Sequence, residues 1–245
     1  MTDIPGYSIK NEIFHTDEYA IYSGIRNTDG REVCIKTAHP HCDSFRLHTG
    51  FLHESIISQK AQSKGIIHVI DAVEWEDKTA LIIEPFGGRQ LSDLIEKNTI
   101  SLSDALKTAS SLALALGELH NKKIIHGSLL PDRIAVLPDT GTATIIDLAS
   151  CLVFSETVSE ITAINLQRTA AGYISPEQTG YMNRPVDYRT DFYLLGLILY
   201  EMLTGLQPFR SRDLSGIIHS HVSRKPVTPS AIKREIPDAV SEIVL

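Results

Sequence analysis

Cysteine is scarce in this chain. Three thiols, Cys34, Cys42 and Cys151, are scattered among 245 residues without paired spacing. That excludes a disulfide framework and points to a reducing compartment. Long apolar runs are missing too. The most apolar stretch, FYLLGLILYEMLTG from Phe192 to Gly205, is too short to span a bilayer and contains Glu201. It reads instead as a helix buried on all sides in a soluble core. No long basic run offsets the formal net charge of −7, which argues against a nucleic-acid surface. The N-terminus MTDIPGYSIK is polar and is no signal peptide. The chain is therefore expected in the cytoplasm, with no membrane insertion and no nucleic acid partner.

What is present suffices for a sizeable core. Hydrophobic residues make up 42% and charged residues 22%, a balance typical of folded chains rather than disordered ones. EYAIYSGIR and REVCIKTA read as strands flanking NTDG, whose Asp-Gly favours a tight turn. SFRLHTGFLHESIISQKAQ has helical spacing, with Phe51, Ile56 and Ile57 on or near one face. IIHVIDAVEWEDKTALIIEPF reads as two strands joined by an acidic turn. After the Gly-Gly at 87–88 the character changes. LSDLIEKN is a short helix, and a long one opens with a capping signal at Ser101 to Asp104. Two short strands, a polar segment from Ser150 to about Thr169 and further helices follow. The expectation is an α+β chain: a strand-rich lobe with one helix over 1–86, then a helical lobe over 87–245.

That order, with its motifs, resembles a protein kinase domain of the serine/threonine kinase superfamily. VCIK is similar to the kinase strand that carries the phosphate-pairing lysine, here Lys36. Glu54 stands where the helix glutamate pairs with that lysine. EPFGG, with Glu84 and Phe86, resembles the hinge that meets adenine. IIHGSLLPDRI aligns with the catalytic loop, and IIDLA with the strand end that supplies a metal-binding aspartate, Asp147. YISPE and DYRTDFYLLGLILYEMLTGLQPF resemble the end of the activation segment and the central helix, with Asp191 at its start. IPGYSI and YISPEQTGYMNRPVDYRTDFY are similar to the kinase-like domain that opens large signalling proteins, where an ATPase module, a sensor module and a histidine kinase follow. The resemblance implies a bilobal fold, two-component signalling, and ATP and Mg²⁺ bound through Lys36, Glu54, Glu84, Phe86 and Asp147, with Asp147 on the metal.

The chemistry of that family is largely absent. The base that accepts a substrate proton is replaced by Ser128, and loss of a general base costs typically ~10²–10⁴-fold. The loop lysine is Leu130. The metal-binding asparagine is Arg133, a cation where an oxygen ligand belongs. The arginine after the histidine is Gly127. Phe14, Thr16 and Tyr19 stand at the positions of the glycine-rich loop, so backbone amides approach phosphates less closely, and Asp17 and Glu18 add negative charge nearby. ATP and Mg²⁺ are thus expected to bind weakly or not at all. Lys36, Glu54 and Asp147 survive. They read equally as a residual nucleotide site or as a structural ion pair with Asp147 capping a turn.

Other constellations are weaker. HPHC (His39, His41, Cys42) lies in a loop without a second ligand cluster, so no structural zinc is expected. His219 and His221 diverge on a helix. Asp132 is a poor replacement base, four residues from Ser128. The end, AVSEIVL, reads as the opening of a helix. In the kinase family Glu177 would pair with an arginine in a later segment. The C-lobe therefore reads as truncated, as a fragment of a longer protein or a shortened product, and as less stable than a complete domain. The leading expectation is a pseudokinase, a regulatory or docking module whose partners are other signalling domains or proteins. The alternatives are an active kinase with displaced catalytic groups and a nucleotide-binding switch without transfer.

Overall fold

The structure is a computed structural model and describes residues 4–42, 44–75, 78–154, 172–211 and 213–245. Five strands open the chain: β1 (Tyr7–His15), β2 (Tyr19–Arg26), β3 (Glu32–Ala38), then, after helix α1 (Ser44–Ala61), β4 (Val69–Trp75) and β5 (Lys78–Ile83). They form one sheet in the order β1-β2-β3-β5-β4, every neighbouring pair antiparallel. Residues 76–77, read as an acidic turn, lie outside the described residues, as does most of the polar segment after Ser150.

Both faces of this sheet are apolar, for a reason visible in β3. Side chains alternate along a strand. Val33 and Ile35 therefore join Ala80 and Ile82 on the outer face, while Cys34 points to the inner face with Leu81 and Ile83. Lys36, two residues from Cys34, falls on the inner face too, and it is fully buried there. Helix α1 covers that face with a stripe at helical spacing: Leu47, Phe51, Glu54, Ser58 and Ala61 are all buried. Glu54 thus lies on the buried side of its helix. Ile56, expected near that face, is 54% exposed. It is two residues, about 200°, from Glu54, which turns it to solvent.

From residue 89 the elements are short strands and helices. β6 (Arg89–Gln90) leads into α2 (Leu91–Glu96) and α3 (Leu102–Asn121). The expected cap forms: the Ser101 hydroxyl accepts the Asp104 N–H at 3.1 Å. β7 (Ile124–Ile125), β8 (Ile134–Leu137), β9 (Thr142–Ile145) and β10 (Leu152–Val153) follow, then α4 (Tyr188–Thr204), α5 (Leu214–Ser223), α6 (Pro229–Ile232) and α7 (Asp238–Ile243). β6, β8 and β9 pair in one small sheet, β7 and β10 in another. α4 carries the most apolar stretch, and its face of Leu194, Leu197, Ile198 and Met202 is buried. It is not enclosed on all sides, because Phe192 is half exposed and packs edge-on to His120 and Tyr188. Among the described residues no helix is long and apolar enough to cross a membrane.

The segment joining the five-stranded sheet to the rest turns on Gly88. Its φ is +117°, and a Cβ there would lie 2.7 Å from the Val136 carbonyl oxygen. Gly88→Ala is expected to destabilise the protein by about 1–3 kcal/mol, since strained backbone and a clash with β8 both oppose it. A fall in the urea midpoint at unchanged m-value checks this; an unchanged midpoint would contradict it.

Candidate active site

The residues singled out in the sequence converge between the five-stranded sheet and the short strands. The Lys36 Nζ donates to both Glu54 carboxylate oxygens, at 2.9 and 2.8 Å, and to the Ile146 carbonyl at 3.3 Å. Asp147 Oδ1 lies 3.6 Å from the same ammonium. The ammonium also sits 3.9 Å from the centre of the Tyr19 ring, close enough for a cation–π contact. Asp147 caps its own turn as well, its Oδ1 accepting the Ala149 N–H at 2.9 Å.

Arg133 fills the place beside Asp147. It lies in the 3₁₀ turn Pro131–Arg133, and its Nη1 is 3.1 Å from Asp147 Oδ2 and 3.5 Å from the Ser128 hydroxyl. Its Nη2 reaches Glu18 Oε2 at 3.4 Å, and Glu18 Oε1 also accepts from Arg46 of α1. Burial by itself lowers the Arg133 pKa. The surrounding Asp147, Tyr19, Asp132 and Glu18 outweigh it and raise the pKa further above its ordinary value. Glu18, expected to add negative charge near a phosphate, is instead balanced by two arginines.

The positions of the glycine-rich loop are packed inward. Phe14, Thr16 and Tyr19 are each at most 5% exposed. Thr16 closes the turn between β1 and β2, its hydroxyl accepting the Tyr19 N–H at 3.1 Å. Phe14 packs against Phe86, ring centres 5.3 Å apart. Glu84 faces outward, its N–H bonded to the His68 carbonyl and its carboxylate 3.5 Å from Arg31. Of the expected nucleotide residues, Lys36, Glu54 and Asp147 therefore form one cluster, Phe86 packs on Phe14 of the hairpin, and the Glu84 side chain stands apart.

The loop frame is held by Asp191. Its Oδ2 accepts the His126 N–H at 2.9 Å and approaches His120 Nε2 at 2.7 Å; its Oδ1 accepts the Gly127 N–H at 2.7 Å. His126 Nε2 meets the Asp147 carbonyl at 2.8 Å, and burial pushes its pKa down. Gly127 has φ +69°, so an arginine restored there would be strained. Gln178 Nε2 donates to the Gly127 carbonyl at 2.6 Å, and Glu177 accepts from the Thr190 hydroxyl. Leu130 is 4% exposed and supplies no cation. Asp132 lies on the rim, its pKa raised by burial, and lines a cavity of about 710 Å³ with Leu130, Tyr173 and Glu201.

This donor set does not fit a divalent cation. Such an ion needs several oxygen ligands. Asp147 is the carboxylate in place, and its oxygens already face Lys36 and Arg133. Three contributors escaped the sequence reading: the Tyr19 ring under Lys36, the Glu18 bridge, and His120 beside Asp191. Only the acid at 18 and the cation at 133 carried any signal, and nothing in their spacing joins them.

Comparison with known proteins places these motifs. The profile described as "Protein kinase domain" matches residues 18–244. A Clostridium acetobutylicum protein named "Probable serine/threonine-protein kinase" is 27% identical over 241 residues, covering 98% of this chain and 36% of that protein. The serine/threonine-protein kinase Pkn1 of Myxococcus xanthus is 26% identical over 92% of this chain and 33% of its own length. The serine/threonine-protein kinase PksC of Streptomyces coelicolor is 27% identical over 87% and 40%. The chain thus spans 33–40% of the length of these relatives.

Proposed function

The chain belongs to the protein kinase family, whose members in general use ATP and Mg²⁺, and from that premise we propose that it is a pseudokinase serving as a regulatory or docking module in signalling. The observation that carries this reading is the Arg133–Asp147 pair, 3.1 Å apart, at the position where the family holds a metal. Phosphoryl transfer depends on metal and base together. Here a guanidinium takes the metal's partner, and Ser128, no base near neutral pH, stands in the loop. In this reading the domain works in the cytoplasm, and its partners are other signalling proteins or domains.

A second reading, a nucleotide-binding switch without transfer, is favoured by the intact Lys36–Glu54 pair. Two measurements separate the possibilities. Incubation with radiolabelled ATP and Mg²⁺ is expected to label neither a generic protein substrate nor the chain itself. Addition of ATP is expected to raise Tm little, and equally with Mg²⁺ or with a chelator. A ligand at 100-fold its Kd stabilises by about 2.7 kcal/mol. A magnesium-dependent rise of that size would replace the first reading with the second, and transfer of label would overturn both.

A further inference from the structure

We propose that the tip of the β1–β2 hairpin is a latched lid: Glu18 and Gln90 hold it shut over Lys36, and its release opens a cleft that the closed protein keeps cryptic. The proposal rests on the reading of the cleft as non-transferring and concerns how that same cleft is regulated.

The fastenings are specific. Glu18, at the tip, ties the hairpin to Arg46 of α1 and to Arg133 beyond the cleft. Gln90 ties it from the other side. Its Nε2 donates to the His15 carbonyl at 2.7 Å and to the Asp132 carbonyl at 2.8 Å, using both amide hydrogens. Its Oε1 takes the His15 N–H at a longer 3.5 Å. The Gln90 side chain so pairs with a peptide group of β1 as a neighbouring strand would, and joins it to the turn that carries Arg133. No ligand is needed for these contacts.

Closure also has a cost. The Tyr19 hydroxyl is buried and has no hydrogen-bond partner among the described residues. A buried hydroxyl without a partner has lost its water and gained nothing for it. Opening the tip rehydrates it. The hairpin is also built to give: β1 is an edge strand, most of its residues are exposed, and its register against β2 shifts twice, between Ile9 and Glu12 and between Glu12 and Phe14. An opposed pair of terms on a weakly held element is what a two-state device requires. Phe14, Thr16 and Tyr19 supply the inward packing, and the two polar fastenings set the balance.

The test uses the full chain with Glu18→Gln and Gln90→Ala combined. Both changes leave the buried core untouched. Hydrogen exchange is followed by peptide over 14–20, with α3 and α4 as internal controls. Trinitrophenyl-ATP binding is measured by fluorescence in EDTA and in Mg²⁺. If the closed form outweighs the open one by about 10:1, unlatching raises apparent affinity about tenfold. The expected result is exchange over 14–20 faster by about that factor with the controls unchanged, and tighter binding of the probe in both buffers. Unchanged exchange over 14–20, or equal acceleration in α3 and α4, overturns the latch. Faster exchange with unchanged probe binding overturns the cryptic cleft. Transfer of labelled phosphate by the unlatched variant would support the lid and overturn the non-transferring reading instead.

Discussion

Ser128→Asp, which restores a carboxylate at the position of the missing base, is expected to leave phosphoryl transfer at background. The base supplies ~10²–10⁴-fold, about 3–5 kcal/mol of barrier. The structure places the new carboxylate in the wrong company. Ser128 is fully buried, and its hydroxyl is 3.5 Å from Arg133 Nη1. An aspartate there would meet that guanidinium, which favours the charged form and weakens it as a base. Asp147 would remain engaged by Arg133 and Lys36. Leu130 would still leave the moving phosphate without its cation, and charge stabilisation of this kind is usually the larger contribution. Groups that act as a unit are strongly non-additive. The informative variant therefore combines Ser128→Asp, Leu130→Lys and Arg133→Asn. It is compared with each single change by single-turnover transfer from labelled ATP. Turnover on the order of 1 per second from Ser128→Asp alone would defeat the argument. So would an Arg133→Asn change that added nothing to the other two.

The fold was readable where its signals are local and periodic. The Asp-Gly turn between β2 and β3, the Ser101 cap and the apolar run of α4 each state their structure within a few residues. Helix α1 was readable as a helix but not in its facing: Phe51 and Ile57 are buried, Ile56 is not, and apolar identity alone does not separate neighbours in sequence. β1 gave little pattern because only Phe14 of its nine residues is buried. The departures at Ser128, Leu130 and Arg133 were also legible, since each is the identity of a single position. The contacts these residues make were not. The Arg133–Glu18 contact spans 115 residues and the Gln90–His15 contact 75. Each depends on where two lobes meet, and no local preference encodes that. The resemblance located Arg133 at a metal site but could not say that its charge would be balanced from the hairpin.

Whether Lys36 is a nucleotide ligand or one half of a structural ion pair, which the sequence left open, is tested by removing it. Lys36→Met is expected to destabilise the protein by about 3–5 kcal/mol, the cost of breaking a buried pair and leaving a carboxylate behind. Lys36 and Glu54 are both fully buried, and both Glu54 oxygens take their bond from the one ammonium. Methionine fills the volume but takes from Glu54 the ammonium that bonds both of its oxygens. Asp147 suffers less, because Arg133 remains 3.1 Å away. The double variant Lys36→Met with Glu54→Leu should therefore recover most of the loss. It removes both charges of one pair, and the loss that remains is the Lys36 bond to the Ile146 carbonyl; apolar replacement of a whole buried pair is often neutral. The coupling between the two changes, read from urea midpoints at constant m-value, is expected to be large and positive. An ammonium waiting for phosphate in an open, wet cleft would behave otherwise: exposed pairs contribute only ~0–1 kcal/mol. A loss below about 1 kcal/mol for Lys36→Met would therefore refute the structural role, and with it the closed cleft from which that role is argued.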